Sequence, residues 1–513
     1  MPTHDDLERL RHRIAPLEMS PEEFRAAGHE LVDLIASFLG SLRERPVTPG
    51  ETPEQVRSVL GTSALPEQAT PARTLLNETA GLLFDHSLHI GHPRFFGYIT
   101  SSAAPIGALA DLLAAAVNPN VGAWNLSPAA SEIEALAVRW MAEMIGYAPD
   151  CGGLFVSGGN TANSVGFLAA RRSRLGAGVR AQGVGVTAGR PRVYCSAETH
   201  TWVEKAADHY GIGTDGIRWI PTDEQMRMDV AALRAQIRSD EAAGDRPFLV
   251  IGTAGSTGVG AVDALPELAQ ICREHDLWFH VDAAYGGLAA GQPDAPPDLA
   301  GLALADSVAI DPHKWLYSPL EAGCALVRNP RDLVDTFSYH PSYYKFDEAT
   351  RENGINYYAY GPQNSRGFRA LKVWLMLRQV GRQGFARMIA DDIRLTAHLF
   401  RLVQAHPEFQ AFTCNLSIAT FRYVPVGVEP GSTAAEAYLN RLNEALLGRL
   451  QQGGEAFLSN ALVGGRYLLR TCIVNFRTSL EDVEALPGII ARQGRAIDAG
   501  MRPADLGSEQ KAG

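Results

Sequence analysis

After Pro149 the chain settles into a rhythm that few folds can satisfy: short apolar runs alternate with stretches of helical periodicity. The runs are Leu154–Val156, Arg192–Ser196, Arg218–Ile220, Phe248–Thr253, Leu277–Asp282, Ser307–Asp311 and Gly323–Val327. Strands that are apolar throughout are covered on both faces, and strands separated by helices pair in parallel. The expected fold is therefore α/β, a mostly parallel seven-stranded sheet with helices on both faces. A helix rich in Arg, Leu and Trp, Phe368–Val380, leads out of this unit. Strands near Ser417–Tyr423 and Tyr467–Val474, around a helix Ala434–Gln451, then read as a small α+β domain. The expected division is a helical arm over 1–104, a large domain over 105–378 and a small domain over 379–513.

The arm has a strong start, the capping box Ser20-Pro21-Glu22-Glu23. Phe24, Leu31, Ile35, Phe38 and Leu42 follow at helical spacing, so one stripe needs another surface, either a second subunit or the arm's own domain. The 46 basic against 57 acidic residues, a formal charge of -11, argue against nucleic acid or an anionic membrane as partner. Any phosphate must be gripped locally. The six cysteines are scattered without a C-x-x-C pair, and the N-terminus carries no secretory pattern, which points to a reducing cytoplasm. No uninterrupted apolar span is long enough for a bilayer.

Chemistry concentrates at two strand ends. Asp311-Pro312-His313-Lys314-Trp315 follows the apolar run Ser307–Ile310, and Pro312 stops the ladder, so Lys314 projects from a strand end. Upstream, Leu277–Val281 delivers Asp282, followed by the small residues Ala283, Ala284, Gly286 and Gly287. A carboxylate there must be paired, since burying it alone is too costly. One cofactor needs both parts: pyridoxal phosphate (PLP) is held by a lysine as a Schiff base, while an acid keeps its pyridine nitrogen protonated. The plainer reading is a buried ion pair in an ordinary core. Ser157-Gly158-Gly159-Asn160-Thr161 forms a turn at a helix start, able to offer backbone amides to a phosphate or to be a simple connection. Gly211–Gly216 matches G-x-G-x-x-G, but it lies after a helix and before a strand, the reverse of a dinucleotide site. His86, His89 and His92 have no cysteine or acid nearby to complete a metal set. Phe95, Phe96 and Tyr98 could wall a pocket or fill a core.

These residues resemble a known family, the PLP-dependent group II amino acid decarboxylases, which include aromatic L-amino acid decarboxylase. The resemblance runs from about Phe24 to Arg477. Its marks are His92-Pro93-Arg94-Phe95-Phe96, Ser127-Pro128 with Glu132 and Glu134, Ser157-Gly158-Gly159, His200, His280–Gly287, Asp311–Trp315, Arg366 and Gly453–Phe457. It implies the fold type I architecture of aspartate aminotransferase and a cytoplasmic homodimer with shared active sites. Lys314 would carry the cofactor, Asp282 would pair with the pyridinium, and His200 would stack on the ring opposite Ala284. Gly158, Gly159, Asn160 and His313 would hold the phosphate, and Thr253 would lie near the ring's polar edge. Tyr98, Ile99, Trp124 and Arg366 would stand on the substrate side, Arg366 also ordering the site. Tyr343, within His340–Lys345, would protonate the α-carbon; aldehyde-forming relatives have phenylalanine there.

The implied reaction is decarboxylation of an L-amino acid, aromatic by the resemblance, to the amine and carbon dioxide. Oxidative deamination to an aldehyde, a non-aromatic substrate, transamination and a non-catalytic role are the alternatives; Tyr343 and His200 weigh against the aldehyde, and the presence of both Lys314 and Asp282 against the last. Two departures stand out. Asn120-Val121-Gly122-Ala123-Trp124 lacks the bulky aromatic of the animal enzymes, which implies a wider or differently shaped pocket. Asp311 replaces the asparagine of some members, and an acid beside a phosphate is unfavourable, so its carboxylate is expected to point elsewhere.

Overall fold

The computed structural model describes residues 3–339 and 354–506. Seven strands form the large sheet: β1 (Gly152–Val156), β2 (Pro191–Ser196), β3 (Ile217–Ile220), β4 (Arg246–Thr253), β5 (Trp278–Asp282), β6 (Ser307–Ile310) and β7 (Gly323–Val327). All seven coincide with the apolar runs read from the sequence, because strands covered on both faces carry an unbroken apolar signal. Their order is β1-β7-β6-β5-β4-β2-β3, with β7 antiparallel to both neighbours and the other pairs parallel. Register matters for function: Thr253 at the end of β4 stands opposite Asp282 at the end of β5, and Asp282 opposite Ala309 on β6. Three strand ends thus share one edge, where parallel sheets place ligands.

Side chains alternate across β5. Phe279 and Val281 enter one apolar layer with Leu265, Leu268 and Trp315. Trp278 enters the other, with Phe167 of the helix Gly159–Leu175 and Phe248. His280 and Asp282 share the Trp278 face by the two-residue period. That helix lies so close that a Cβ on Gly166 would come within 2.5 Å of His280 Nδ1, which accounts for glycine there.

The smaller sheet is antiparallel, in the order β10 (Ser459–Val463), β11 (Arg466–Cys472), β9 (Ile418–Tyr423), β8 (Phe409–Asn415). The two inner strands match the sequence reading. The two outer ones do not appear in it, since edge strands carry mixed polar sequence and weak periodicity. The helix expected to end at Val380 instead runs Ala370–Ala405 and bends at Gly381, φ 71°. Its first part packs on the helices Pro105–Val117 and Pro128–Met144, its later part on β8 and β9, so one element ties the two sheets together.

The arm helix Pro21–Gly40 has the expected capping box, with Ser20 accepting from Glu23 N. Phe38 stacks on Phe84 at 4.3 Å, yet Ala27 is its only buried residue and Phe24 stays 60% exposed. His86 pairs with Glu51, His89 sets its ring between the carbonyls of Pro46 and Phe84, and His92 Nδ1 accepts from Arg94 N. Among the described residues no helix is long and apolar enough to cross a membrane, and no cluster of His, Cys, Asp and Glu is arranged to hold a metal.

Candidate active site

The aligned ends of β4, β5 and β6 open onto a cavity of about 210 Å³. Lys314 and Asp282 both line it, with His200, Thr253, Gly159, Asn160 and Ala284. The lysine and the carboxylate therefore bracket one space, as the sequence expectation requires.

Asp282 is 8% exposed, and both its oxygens are engaged from the protein side. Trp202 Nε1 donates to Oδ2 at 2.8 Å and Ala284 N to Oδ1 at 3.2 Å. Such bonds offset part of the cost of a buried charge and fix its direction. His200 accepts at Nδ1 from Trp202 N, so its hydrogen sits on Nε2. Burial lowers its pKa, Asp282 opposes and Lys314 adds to the fall; the result is a neutral, flat ring at the cavity.

Lys314 lies on the single turn Pro312–Trp315, whose backbone is held from several sides. Ser101 Oγ donates to His313 O at 2.8 Å, and Ala104 N to Tyr317 O at 2.9 Å. Behind the turn, Trp315 Nε1 and Tyr317 Oη donate to the same oxygen of Asp392, at 2.9 and 2.7 Å. Burial pushes that acid up to about 7.

At the start of the helix Gly159–Leu175 the backbone packs too closely on its neighbours to carry a side chain. A Cβ on Gly159 would stand 2.6 Å from Asp311 Oδ2 and 3.1 Å from Ala284 Cβ; one on Gly158 would meet His313 Cε1 at 3.0 Å. His313 accepts at Nδ1 from Ala322 N, which turns Nε2 towards Asp311 Oδ2 at 3.5 Å. Burial lowers the His313 pKa. The Asp311 carboxylate does not turn away from the site: its Oδ2 lies 3.1 Å from Lys314 Nζ, and it lines the cavity. The lysine amine supplies the opposite charge that the sequence argument left out.

The remaining expected residues are placed elsewhere. Arg366 does not line the cavity; its guanidinium pairs bidentately with Glu134, donates to the carbonyls of Val121 and Phe155, and lies 4.7 Å over the Tyr357 ring. It pins β1 to the Val121 loop. Trp124 donates to Glu132, Ile99 packs on the large core, and Tyr98 is 53% exposed with φ 50°; none of the three lines the cavity. The small wall at Gly122 is not open space either, since the Asn364 carbonyl packs directly on it. Tyr343 lies outside the described residues.

Two residues of interest were not foreseen. Asn163, one turn into the helix, lines the cavity. Arg470, 3% exposed, donates through Nη1 to Ser459 Oγ at 2.7 Å, while its Nε and Nη2 have no partner among the described residues. An arginine inside an apolar strand run was the signal available for the second.

The family description "Pyridoxal-dependent decarboxylase conserved domain" matches residues 53–424. The chain belongs to the pyridoxal-dependent decarboxylase family. The aromatic-L-amino-acid decarboxylase of Bacillus atrophaeus is 34% identical over 468 residues, covering 91% of this chain and 94% of that one. The phenylacetaldehyde synthase of a Rosa hybrid cultivar is 29% identical over 505 residues, 97% and 98% of the two chains. The crystal structure of Oryza sativa TDC with PLP and tryptamine superposes with a TM-score of 0.87 at 28% identity, covering 94% of this chain and 100% of that one. The decarboxylase is thus a PLP-dependent carboxy-lyase acting on an amino acid, with the fold expected from its sequence.

The residues present fit PLP. An acid with directed oxygens, an amine, a neutral flat imidazole, the bare backbone of Gly159, and Thr253, whose Oγ1 has no partner among the described residues, line one cavity. When bound, PLP supplies an electron sink for the charge left on the α-carbon as carbon dioxide departs. Asp282, Lys314, His200 and Ala284 all line that one cavity.

Proposed function

We propose that the decarboxylase acts on an aromatic L-amino acid and releases the amine. The observation that carries this reading is the shared cavity of Lys314, Asp282 and His200, taken with the activity named for the Bacillus atrophaeus relative. Lys314 would carry the cofactor, Asp282 its pyridinium, His200 and Ala284 its faces, and Gly158, Gly159, Asn160 and His313 its phosphate. Tyr343 is assigned the proton delivered to the α-carbon, on the strength of the sequence resemblance alone. Arg470 suits the substrate carboxylate: a buried guanidinium with free donors, one nitrogen of which reaches the Tyr98 carbonyl at 3.4 Å, attracts an anion.

A homodimer is part of the proposal. Leu109, Leu112, Leu113 and Val117 on the helix Pro105–Val117 are each more than half exposed, as are Phe24 on the arm and Tyr98. A soluble chain covers such surface with another chain. Trp124 would then serve the site from across that contact. Six unpaired cysteines support a cytoplasmic setting.

Incubating the pure protein and PLP with a panel of L-amino acids, while following carbon dioxide, amine, aldehyde and peroxide, tests the reading. Amine and carbon dioxide from aromatic substrates support it. Turnover confined to non-aromatic substrates, or aldehyde with peroxide as the main products, contradicts it.

A further inference from the structure

A chain of buried polar groups runs through the sheet to the cavity wall. Trp278 Nε1 lies 2.8 Å from Ser307 Oγ, Ser307 Oγ 2.8 Å from His280 Nδ1, and His280 Nε2 2.8 Å from Asn163 Oδ1. Ser307 and His280 are fully buried and Asn163 is 1% exposed.

The direction of this chain follows from donor chemistry. An indole N–H can only donate, so the Ser307 oxygen accepts from Trp278. Among the described residues the Ser307 hydrogen then has His280 Nδ1 as its acceptor. Burial holds the His280 pKa down at about 4, so the ring carries a single proton, and with Nδ1 accepting that proton is on Nε2. Nε2–H donates to Asn163 Oδ1, and this fixes which end of the amide is oxygen. Reversing the chain would leave the Ser307 hydrogen without an acceptor inside the core, at the cost of an unsatisfied buried group.

Asn163 is left with its Nδ2 hydrogens unused by any described residue, on a side chain that lines the cavity. The residue stands one helical turn beyond Gly159, and its partner His280 lies two residues before Asp282 on the same face of β5. It therefore flanks the pyridine end of the site, not the phosphate end. We propose that Asn163 is a cofactor-contacting residue, donating from Nδ2 to the ring oxygen of PLP, and that Trp278, Ser307 and His280 are positioning residues that lock its amide. The proposal rests on the PLP reading of the cavity.

Absorbance spectra of purified holoenzyme across pH test it, with PLP affinity measured by titrating the apoprotein. A donor to the ring oxygen favours the form of the lysine-bound cofactor that has lost its proton. In Asn163→Ala the pH midpoint of the visible band should rise, by about one unit for one bond to a charged oxygen. Ser307→Ala, which leaves Asn163 in place but breaks the chain, should shift the midpoint in the same direction by less, with PLP affinity near that of the wild type. It also decides the matter if Asn163→Ala does not fold. An unmoved midpoint overturns the proposal, as does a fall in PLP affinity without a shift, which would put the contact at the phosphate. A wild-type protein that shows no visible band with PLP overturns the cofactor reading itself, and this inference with it.

Discussion

The Trp202 indole donates to Asp282 Oδ2 at 2.8 Å, joining the helix that follows β2 to the acid that ends β5. With Ala284 N on the other oxygen, the carboxylate has little freedom to rotate. Trp202→Phe keeps the buried ring but leaves that oxygen unpaired. We expect a loss of about 1–3 kcal/mol in urea unfolding and weaker PLP binding. Unchanged PLP affinity would show that the indole does not orient Asp282.

Gly159→Ala should weaken PLP binding at least about tenfold while leaving the apoprotein folded. The added methyl would press on Asp311 Oδ2 and Ala284 Cβ, and both residues line the cavity assigned to the cofactor. Equilibrium titration of the apoprotein reads this directly; wild-type affinity would move the phosphate elsewhere.

Asp392 gives the fold a pH dependence of known sign. Burial raises its pKa from 3.8 to about 7, so between those values the folded chain holds a proton that the unfolded chain has released. Stability therefore falls as pH rises through that window, by up to about 1.4 kcal/mol per unit. Asp392→Asn keeps an oxygen for Trp315 and Tyr317 and removes the titration. Denaturant melts at about pH 5.5 and pH 7.5 should show the wild type losing more stability over that step than the variant. Equal losses would refute the assignment.

Tyr343→Phe should divert product from amine towards aldehyde, with peroxide formed alongside. Chromatography of the products gives the ratio. Amine formation at the wild-type level would mean that another group supplies the proton.

Much of this architecture is legible in the sequence, and the exceptions have physical causes. Lys314 and Asp282 stand out because Asp282 ends an apolar strand and Lys314 stands on the turn just after another, where a charge has no plain structural reason to be. The Glu134 partner of Arg366 was not legible, because it lies on a helix whose carboxylates read as solvated, while it is buried in the fold. Asp311 was misdirected by weighing it against a phosphate and not against the lysine three residues on. Asn163 gave no signal at all: a polar residue on an amphipathic helix looks like surface, and only the packing of Gly166 against His280 brings that face inside. The outer strands β8 and β10 were lost to the weak periodicity of sheet edges.

The central claim is that one lysine amine holds the cofactor beside Asp282. Reducing the PLP-loaded protein with borohydride and mapping the modified peptide by mass spectrometry tests it most directly. The account requires a pyridoxyl phosphate adduct on Lys314, absent in Lys314→Ala together with the visible band. An adduct on another lysine, or a visible band that survives Lys314→Ala, would contradict it.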